Sequence, residues 1–256
     1  MLNHRTISEA LHAASDDHYA RRLSRHLSPL KGLRGTPSSE IVKVLVSTWK
    51  SQRIQLSRDS DGLNRLFRAA YEDGLVAIGL TAAALPDAPD EALDLAESWL
   101  EVADDLETAD AIGWLLLGPG LLATGEPFVA HLRELLAEPA AIRRRTAVIS
   151  LMSALPAPIE GPAAAALRAR AGQKKVTFVQ EPLDAMLEGV LPRAMKDTNP
   201  HVRKATARVM RTWAAFSPDA AEALLAAQPG GVNRTIREET EKGIRKGRRP
   251  RKHKTV

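Results

Sequence analysis

The amino-acid sequence predicts an all-α protein, an α-solenoid of HEAT-like helical repeats with a concave basic face. Apolar residues recur at helical spacing in many short segments, and no segment alternates apolar and polar residues as a strand would. Aromatic residues make up only 4% of the chain, whereas alanine, leucine and arginine abound and favour helix. Short helical segments without a single heptad seam are typical of stacked helical pairs. A globular helical bundle is the alternative.

Proline stands at or near the start of many of these segments, where its missing N–H group costs nothing. The first predicted helix opens at Thr36-Pro37, with the threonine as N-cap, and carries Ile41 and Leu45 on its apolar face. The next predicted helices cover 61–71, 75–85, 89–102, 108–117 and 127–137. The Gly-Pro-Gly sequence at 118–120 predicts a turn that ends the helix 108–117.

The C-terminal half repeats this pattern. Its predicted helices cover 140–154, 162–171, 182–194, 200–215, 218–227 and 233–244. Residues 1–244 are therefore predicted to form a helical-repeat domain, with an irregular excursion rich in proline, alanine and glycine at 156–180. Residues 245–256 contain seven basic residues and almost no apolar side chain, so they predict a disordered basic tail.

The composition excludes several classes of protein and site. The chain contains no cysteine, which excludes disulfides and thiolate metal sites. Its longest apolar run, 111–123, is shorter than the roughly 20 residues that span a bilayer. No secretory signal opens the chain, so we expect a cytoplasmic, nucleoid-associated protein. The histidines are scattered and phosphate-loop, dinucleotide and metalloprotease motifs are absent, so we expect neither a metal nor an organic cofactor.

The net charge of +5 conceals a strong partition along the chain. Residues 1–70 carry a net charge of +6, residues 71–139 carry −14 and residues 140–256 carry +13. Such asymmetry indicates a polyanion partner for the basic ends, although a solvated surface could have the same composition. The acidic middle segment, 71–139, could alternatively be a contact surface for a protein partner.

Asp110 is the candidate for charge-stabilising chemistry. It is predicted in the first turn of the helix 108–117, where the positive end of the helix dipole favours a carboxylate, although an aspartate there is commonly structural. Arg143, Arg144 and Arg145 open the helix 140–154. Consecutive residues fan over about 200° of a helix, so at most two of these arginines face one ligand. Their guanidinium groups suit phosphate, and a solvated basic face is the alternative.

A second basic surface is predicted on the helix 200–215. Lys204, Arg208 and Arg211 lie at positions i, i+4 and i+7, a spacing that forms one stripe along the helix. Together with the arginine triplet, this stripe would present cations from two separate repeats. Phosphate neutralisation by such a surface makes DNA binding strongly salt-dependent. A solvated helix face is again the alternative.

Four segments, taken in order and with their spacing, carry a family resemblance. They are 32–37 (GLRGTP), 106–112 (LETADAI), 144–148 (RRTAV), and 202–205 (VRKA) leading through Arg211 to 217–219 (SPD). From about residue 30 to residue 244 the chain resembles the DNA alkylation repair proteins of the AlkC and AlkD type. The resemblance implies a HEAT-like solenoid, and the founding members excise positively charged alkylpurines from DNA.

The resemblance also implies roles for particular residues. Asp110 matches the family's catalytic aspartate, which stabilises the oxocarbenium-like sugar as the cationic base leaves. Arg145 matches an arginine that contacts the DNA backbone beside the lesion. Leu106 and Arg208 stand where the family has active-site tryptophans, so the aromatic part of the site departs from the family pattern.

The sequence therefore predicts a monomer that binds double-stranded DNA, with N-glycosidic release of cationic alkylpurines at Asp110 as its hypothetical activity. A non-catalytic binder of bent or branched DNA and a protein-binding helical scaffold are the alternatives. Trp114 and Trp213 are the tryptophans that could replace the missing pair. The predicted contacts to the DNA backbone are Arg144, Arg145, Lys204, Arg208 and Arg211.

Overall fold

The computed structural model describes residues 1–27, 29, 31–103, 105–124, 126–155, 180–228 and 231–249. Within these ranges every regular element is helical, which confirms the all-α prediction. The α-helices are α1 (His4–Ala13), α2 (Asp17–Leu23), α3 (Ser38–Ser51), α4 (Leu56–Ala69), α5 (Tyr71–Ala84), α6 (Pro89–Val102), α7 (Leu106–Ile112), α8 (Gly118–Thr124), α9 (Glu126–Leu135), α10 (Ala141–Ala154), α11 (Gln180–Met195), α12 (Pro200–Ala214), α13 (Pro218–Ala226) and α14 (Arg234–Gly247). A π-helical turn at Gly113–Leu117 joins α7 to α8.

The helices pack mainly on partners that are close in sequence. Helices α3 and α4 both pack on α5, α10 packs on α7 and α12, and α12 packs extensively on α14. This order of contacts is compatible with stacked helical pairs, and the solenoid arrangement stays a prediction. None of the described helices combines the length and the apolar run that a bilayer crossing needs.

The first turn of α5 is held by the loop before α3. Glu72 is buried, and its two carboxylate oxygens accept hydrogen bonds from the backbone N–H groups of Arg34 and Gly35, at 3.0 and 2.8 Å. The Arg34 side chain forms an ion pair with buried Asp73. Gly35 adopts a φ of +79° and packs closely against Asp16 and Ala20 in the first turn of α2, so only glycine fits there. The loop thereby satisfies both buried carboxylates of α5.

Some predicted helix boundaries match the structure and others do not. Helix α6 begins and ends where the sequence predicted, at Pro89 and Val102. Helix α4 begins at Leu56, earlier than predicted, because buried Asp59 accepts the backbone N–H groups of Leu2 and Gln55 at 2.8 and 3.0 Å. Helices α1 and α2 were not predicted.

The predicted N-cap of α3 is also corrected. Pro37 occupies the cap position, and the side chain of Thr36 instead donates a hydrogen bond of 2.9 Å to the carbonyl of Leu11. The threonine is buried, and this hydrogen bond ties the segment before α3 to the last turn of α1.

The predicted Gly-Pro-Gly turn at 118–120 is wrong, because these residues begin α8. A Cβ atom at Gly118 would overlap Ser153, and one at Gly120 would overlap Phe128, so both glycines allow close helix packing. In the π-helical turn the Trp114 carbonyl would accept from residue 119, but proline has no N–H. The Ser153 hydroxyl donates to that carbonyl instead, at 2.6 Å.

Two sequence predictions fall partly beyond the described ranges. The excursion at 156–180 and the predicted helix 162–171 lie outside them, except for Gln180, which opens α11. Helix α14 continues to Gly247, so residues 245–247 of the predicted disordered tail are helical. Residues 250–256 are not among those described.

Candidate functional site

Asp110 lies in the second turn of α7, not in the first turn as predicted. The helix begins at Leu106, and its N-cap is Asp105, whose carboxylate accepts from the Thr108 N–H at 2.7 Å and from the Thr108 hydroxyl at 2.9 Å. The helix dipole acts mainly within the first turn. Its effect on Asp110 is therefore smaller than the sequence suggested.

The carboxylate of Asp110 forms a bidentate ion pair with Arg145 on α10. Arg145 Nε donates to Asp110 Oδ1 at 2.7 Å, and Arg145 Nη2 donates to Asp110 Oδ2 at 2.6 Å. The third nitrogen, Nη1, donates to the His201 carbonyl at the start of α12, at 2.8 Å. The Asp110 side chain is 25% exposed and that of Arg145 is 14% exposed, so the pair lies at the surface where α7, α10 and α12 meet.

A glycine brings α7 and α10 close enough for this ion pair. A Cβ atom at Gly113 would lie 2.7 Å from the Thr146 carbonyl oxygen, closer than real Cβ contacts. The Thr146 hydroxyl also donates to the Ala109 carbonyl at 3.4 Å. Thr146 and Ala109 directly adjoin Arg145 and Asp110 in sequence, so the close packing of the two helices positions the two charged side chains.

Arg144, a predicted phosphate contact, is held by acceptors within the protein. Its Nε donates to Asp197 at 2.6 Å, its Nη1 donates to the Glu138 and Pro139 carbonyls, and its Nη2 donates to Asp197 at 3.4 Å. These contacts use four of the five N–H groups of a guanidinium. Burial raises the pKa of Asp197, but the hydrogen bonds from Arg144 and the Asn199 N–H outweigh it and lower that pKa below its ordinary value.

Arg143 points to a different acid. It forms an ion pair with Glu97 on α6, and His131 Nε2 lies 2.9 Å from the same carboxylate. The contact with His131 lowers the pKa of Glu97, and the ion pair with Arg143 lowers that pKa further. Burial of Glu97 raises the pKa and only partly offsets these two effects. The three consecutive arginines thus contact three different carboxylates, and only Arg145 lies beside Asp110.

The stripe of Lys204, Arg208 and Arg211, called the α12 stripe below, is exposed to solvent along its whole length. Arg211 forms an ion pair with Glu239 on α14 at 2.8 Å, although its side chain is 58% exposed. Lys204 has no ion-pair partner among the described residues. The Arg208 guanidinium lies over the indole ring of Trp114, 5.2 Å from the ring centroid.

Trp114 is the tryptophan that lies beside the site. It follows Asp110 by four residues, is only partly buried, and contacts Arg208 from α12. Its indole Nε1 is buried and has no hydrogen-bond partner in the described part of the chain. Trp213 is fully buried in the core and offers no surface to a ligand. The four-residue spacing between Asp110 and Trp114 was visible in the sequence. The contact between Trp114 and Arg208 was not, because it depends on helix packing.

Tyr71 is a neighbour of the site that no sequence pattern indicated. Tyr71 opens α5, which packs on α7. Burial raises the pKa of the Tyr71 hydroxyl, and the carboxylates of Glu107, Asp105, Glu72 and Asp110 raise it further. The phenol therefore stays protonated and remains a hydrogen-bond donor at neutral pH.

The site places the Asp110 carboxylate beside several cations at a surface shared by three helices. Its geometry suits contacts to an anionic backbone, and the partly exposed Asp110 carboxylate could face developing positive charge. In the ranges that the structure describes, no group of three or more histidine or acidic side chains could hold a metal ion.

A family model described as DNA alkylation repair enzyme matches residues 7–243. A search of curated proteins found no match to the chain. The matched residues run from within α1 to within α14 and include Asp110, Arg145 and the whole α12 stripe.

Proposed function

We propose that this chain, which belongs to the DNA alkylation repair enzyme family, binds duplex DNA through its α10 and α12 surface. The observation that carries the proposal is the exposed α12 stripe beside the Asp110–Arg145 ion pair. Three cations spaced along one helix face can follow a phosphate backbone without reading its sequence. We therefore assign the main phosphate contacts to Lys204, Arg208 and Arg211.

The arginines of α10 contribute fewer contacts to the proposed DNA interface. Arg145 uses three of the five N–H groups of a guanidinium on Asp110 and His201, which leaves two for a phosphate. Arg144 has only one left. We propose that Arg145 both orients Asp110 and contacts the backbone, and that Arg144 contributes mainly through its charge.

Gel shifts with a short duplex test the binding proposal. The double variant Lys204→Gln/Arg208→Gln removes two charges from the stripe, and we expect it to bind DNA at least tenfold more weakly, since each phosphate contact contributes to a salt-dependent affinity. The matched control, Arg65→Gln/Arg68→Gln, removes two exposed charges from α4, which packs on α1, α5 and α6. Equal losses of affinity in the two variants would refute an interface on α12.

Base release is a second candidate function, favoured by the exposure of the Asp110 carboxylate. Each of its oxygens accepts one hydrogen bond from Arg145 and keeps further lone pairs. A carboxylate at this position could stabilise a sugar that becomes positively charged as a cationic alkylpurine leaves. Leu106 and Arg208 provide no aromatic surface, so this activity would depend on charge stabilisation.

Release of 7-methylguanine from duplex DNA tests this candidate. Wild-type protein should release the base above the uncatalysed rate, and Asp110→Asn should reduce release to background because it removes the negative charge. The release is compared at DNA concentrations that saturate both proteins. Equal, background-level release from both would remove the enzymatic function and leave the proposal of DNA binding intact.

A further inference from the structure

One contact beside the site joins a potential phosphate ligand to an aromatic ring. Arg208 belongs to the α12 stripe, and its guanidinium lies 5.2 Å from the centroid of the Trp114 indole. Arg208 is exposed and Trp114 is partly buried, so the guanidinium covers a ring that would otherwise face solvent. The two residues come from α12 and from the π-helical turn that follows Asp110.

We propose that a DNA phosphate draws Arg208 away from Trp114 and that the uncovered indole then packs against the adjoining nucleotide. This inference rests on the proposed binding of DNA through the α12 stripe. It assigns Trp114 as the aromatic contact of the interface and Arg208 as the residue that covers it in the free protein.

The exchange follows from the strengths of the two contacts. A guanidinium over an indole at an exposed position is held by a weak cation–π attraction. A guanidinium on a phosphate makes charge-assisted hydrogen bonds, which can be bidentate and are roughly twice as strong as neutral hydrogen bonds. Lys204 and Arg211 lie one turn away on either side of Arg208 and would hold the same backbone, so the phosphate reaches Arg208 at high local concentration.

The indole N–H group gives a second, independent reason for a change at Trp114. Its Nε1 is buried and has no acceptor within the described ranges. A buried donor without an acceptor costs free energy, because it loses its hydrogen bond to water. When Arg208 leaves, the ring gains room to turn, and the N–H can bind water or a phosphate oxygen. The free protein therefore leaves this donor unsatisfied, and DNA binding would relieve that cost.

Tryptophan fluorescence can follow the covering of Trp114 in the free protein. Trp99 and Trp213 are almost fully buried, so acrylamide quenching reports mainly on Trp114 and Trp49. Arg208→Gln should increase quenching of Trp114 by acrylamide, whereas Arg211→Gln, which removes the same charge one turn away, should leave it unchanged. Both measurements use the Trp49→Phe background to isolate the signal. Equal quenching in the two variants would refute the proposal that Arg208 covers the Trp114 indole in the free protein.

A DNA titration then tests the contact itself. Adding a short duplex should change the emission of the wild type and of Trp49→Phe, and the change should be lost in Trp114→Phe, which keeps an aromatic ring in place. Gel shifts on the same samples separate two kinds of failure. Binding with an emission change that survives in Trp114→Phe would refute the aromatic contact alone. Absence of binding by the wild type would refute the proposed function and this inference with it.

Discussion

Arg145 shows how one side chain can organise the surface where three helices meet. It opens α10 together with Arg143 and Arg144, although cations at a helix N-terminus oppose the helix dipole. Each arginine offsets this cost by contacting a carboxylate from another part of the chain. For Arg145 that carboxylate is Asp110, so the ion pair that offsets the charge at the start of α10 also orients the candidate catalytic group.

The buried carboxylate of Asp59 leads to a prediction about acid stability. Burial raises the pKa of this carboxyl, but the Arg58 side chain and the Gln55 and Leu2 N–H groups outweigh it and lower the pKa to about 2. The ionised Asp59 stabilises the fold fully when the pH is above about 3.9, the pKa of the carboxyl in the unfolded chain. This stabilisation is lost as the pH falls through about 2, the pKa in the folded protein. We expect about 2 kcal/mol from this group at neutral pH.

Urea unfolding of Asp59→Asn between about pH 5 and pH 2 measures this contribution. The difference in unfolding free energy between wild type and variant should shrink as the pH falls through this range. Asp61→Asn, an exposed change on the same helix, serves as the control and should follow the wild type. A difference that stays constant with pH would show that Asp59 acts only through packing.

The sequence predicted contacts along one helix better than contacts between helices. The α12 stripe followed from the i, i+4, i+7 spacing of Lys204, Arg208 and Arg211, because helix geometry determines which residues share a face. The pairing of Arg144 with Asp197, 53 residues away in sequence, depends on helix packing. The resemblance to a family identified Asp110 and Arg145 as members of one site, and the structure brings them into contact; their roles stay predictions.

At the scale of the elements, α12 and α14 approach each other through a glycine. A Cβ atom at Gly243 would overlap the backbone of Arg211 and lie 2.8 Å from the Ala214 Cβ atom. Neither atom can move without shifting a helix. We therefore expect Gly243→Ala to lower the free energy of unfolding by about 1–3 kcal/mol, measured by urea or thermal unfolding.

Gly189→Ala provides the matched control for this substitution. Gly189 is exposed within α11, and the atom nearest to a Cβ there is Arg133 Nη2 at 3.6 Å. Alanine should stabilise this helix by about 0.5–1 kcal/mol, because glycine has more backbone freedom to lose on folding. If Gly243→Ala also stabilised the protein, the close approach of α12 and α14 would be refuted.

The helix that the sequence located best, α6, has a strong signal at its start. Helix α6 combines Pro89 in its first turn with acidic residues beside it and a regular apolar face. Helix α5 lacks such a pattern, because it is buried from Glu72 to Ala84 and has no polar face to mark its period. The glycines of the predicted 118–120 turn signalled close packing, which local sequence cannot distinguish from a turn.

At the scale of the whole molecule, ion pairs join the acidic middle segment to the basic segments on both sides. They are Arg34–Asp73, Arg143–Glu97 and Arg145–Asp110. Part of the charge partition in the sequence therefore holds the described helices together. The positive charge that remains for a polyanion is smaller than the sequence count suggests, and much of it near Asp110 belongs to the α12 stripe.

The proposed interface predicts a definite response to salt. If Lys204, Arg208 and Arg211 each neutralise one phosphate, the logarithm of the association constant should fall by about 0.9 per contact per decade of salt. Fluorescence anisotropy of a labelled duplex between about 50 and 200 mM salt measures this slope. Lys204→Gln should reduce its magnitude by about 0.9. A slope that is unchanged in this variant would exclude Lys204 from the interface.

The π-helical turn at Gly113–Leu117 has a consequence for how related sequences are aligned. Such a turn contains one residue more than the regular helix that could replace it. Deleting a single residue there would restore the regular helix and leave the segments before and after it in their original orientation. An alignment of related sequences should therefore permit a single gap within residues 113–117.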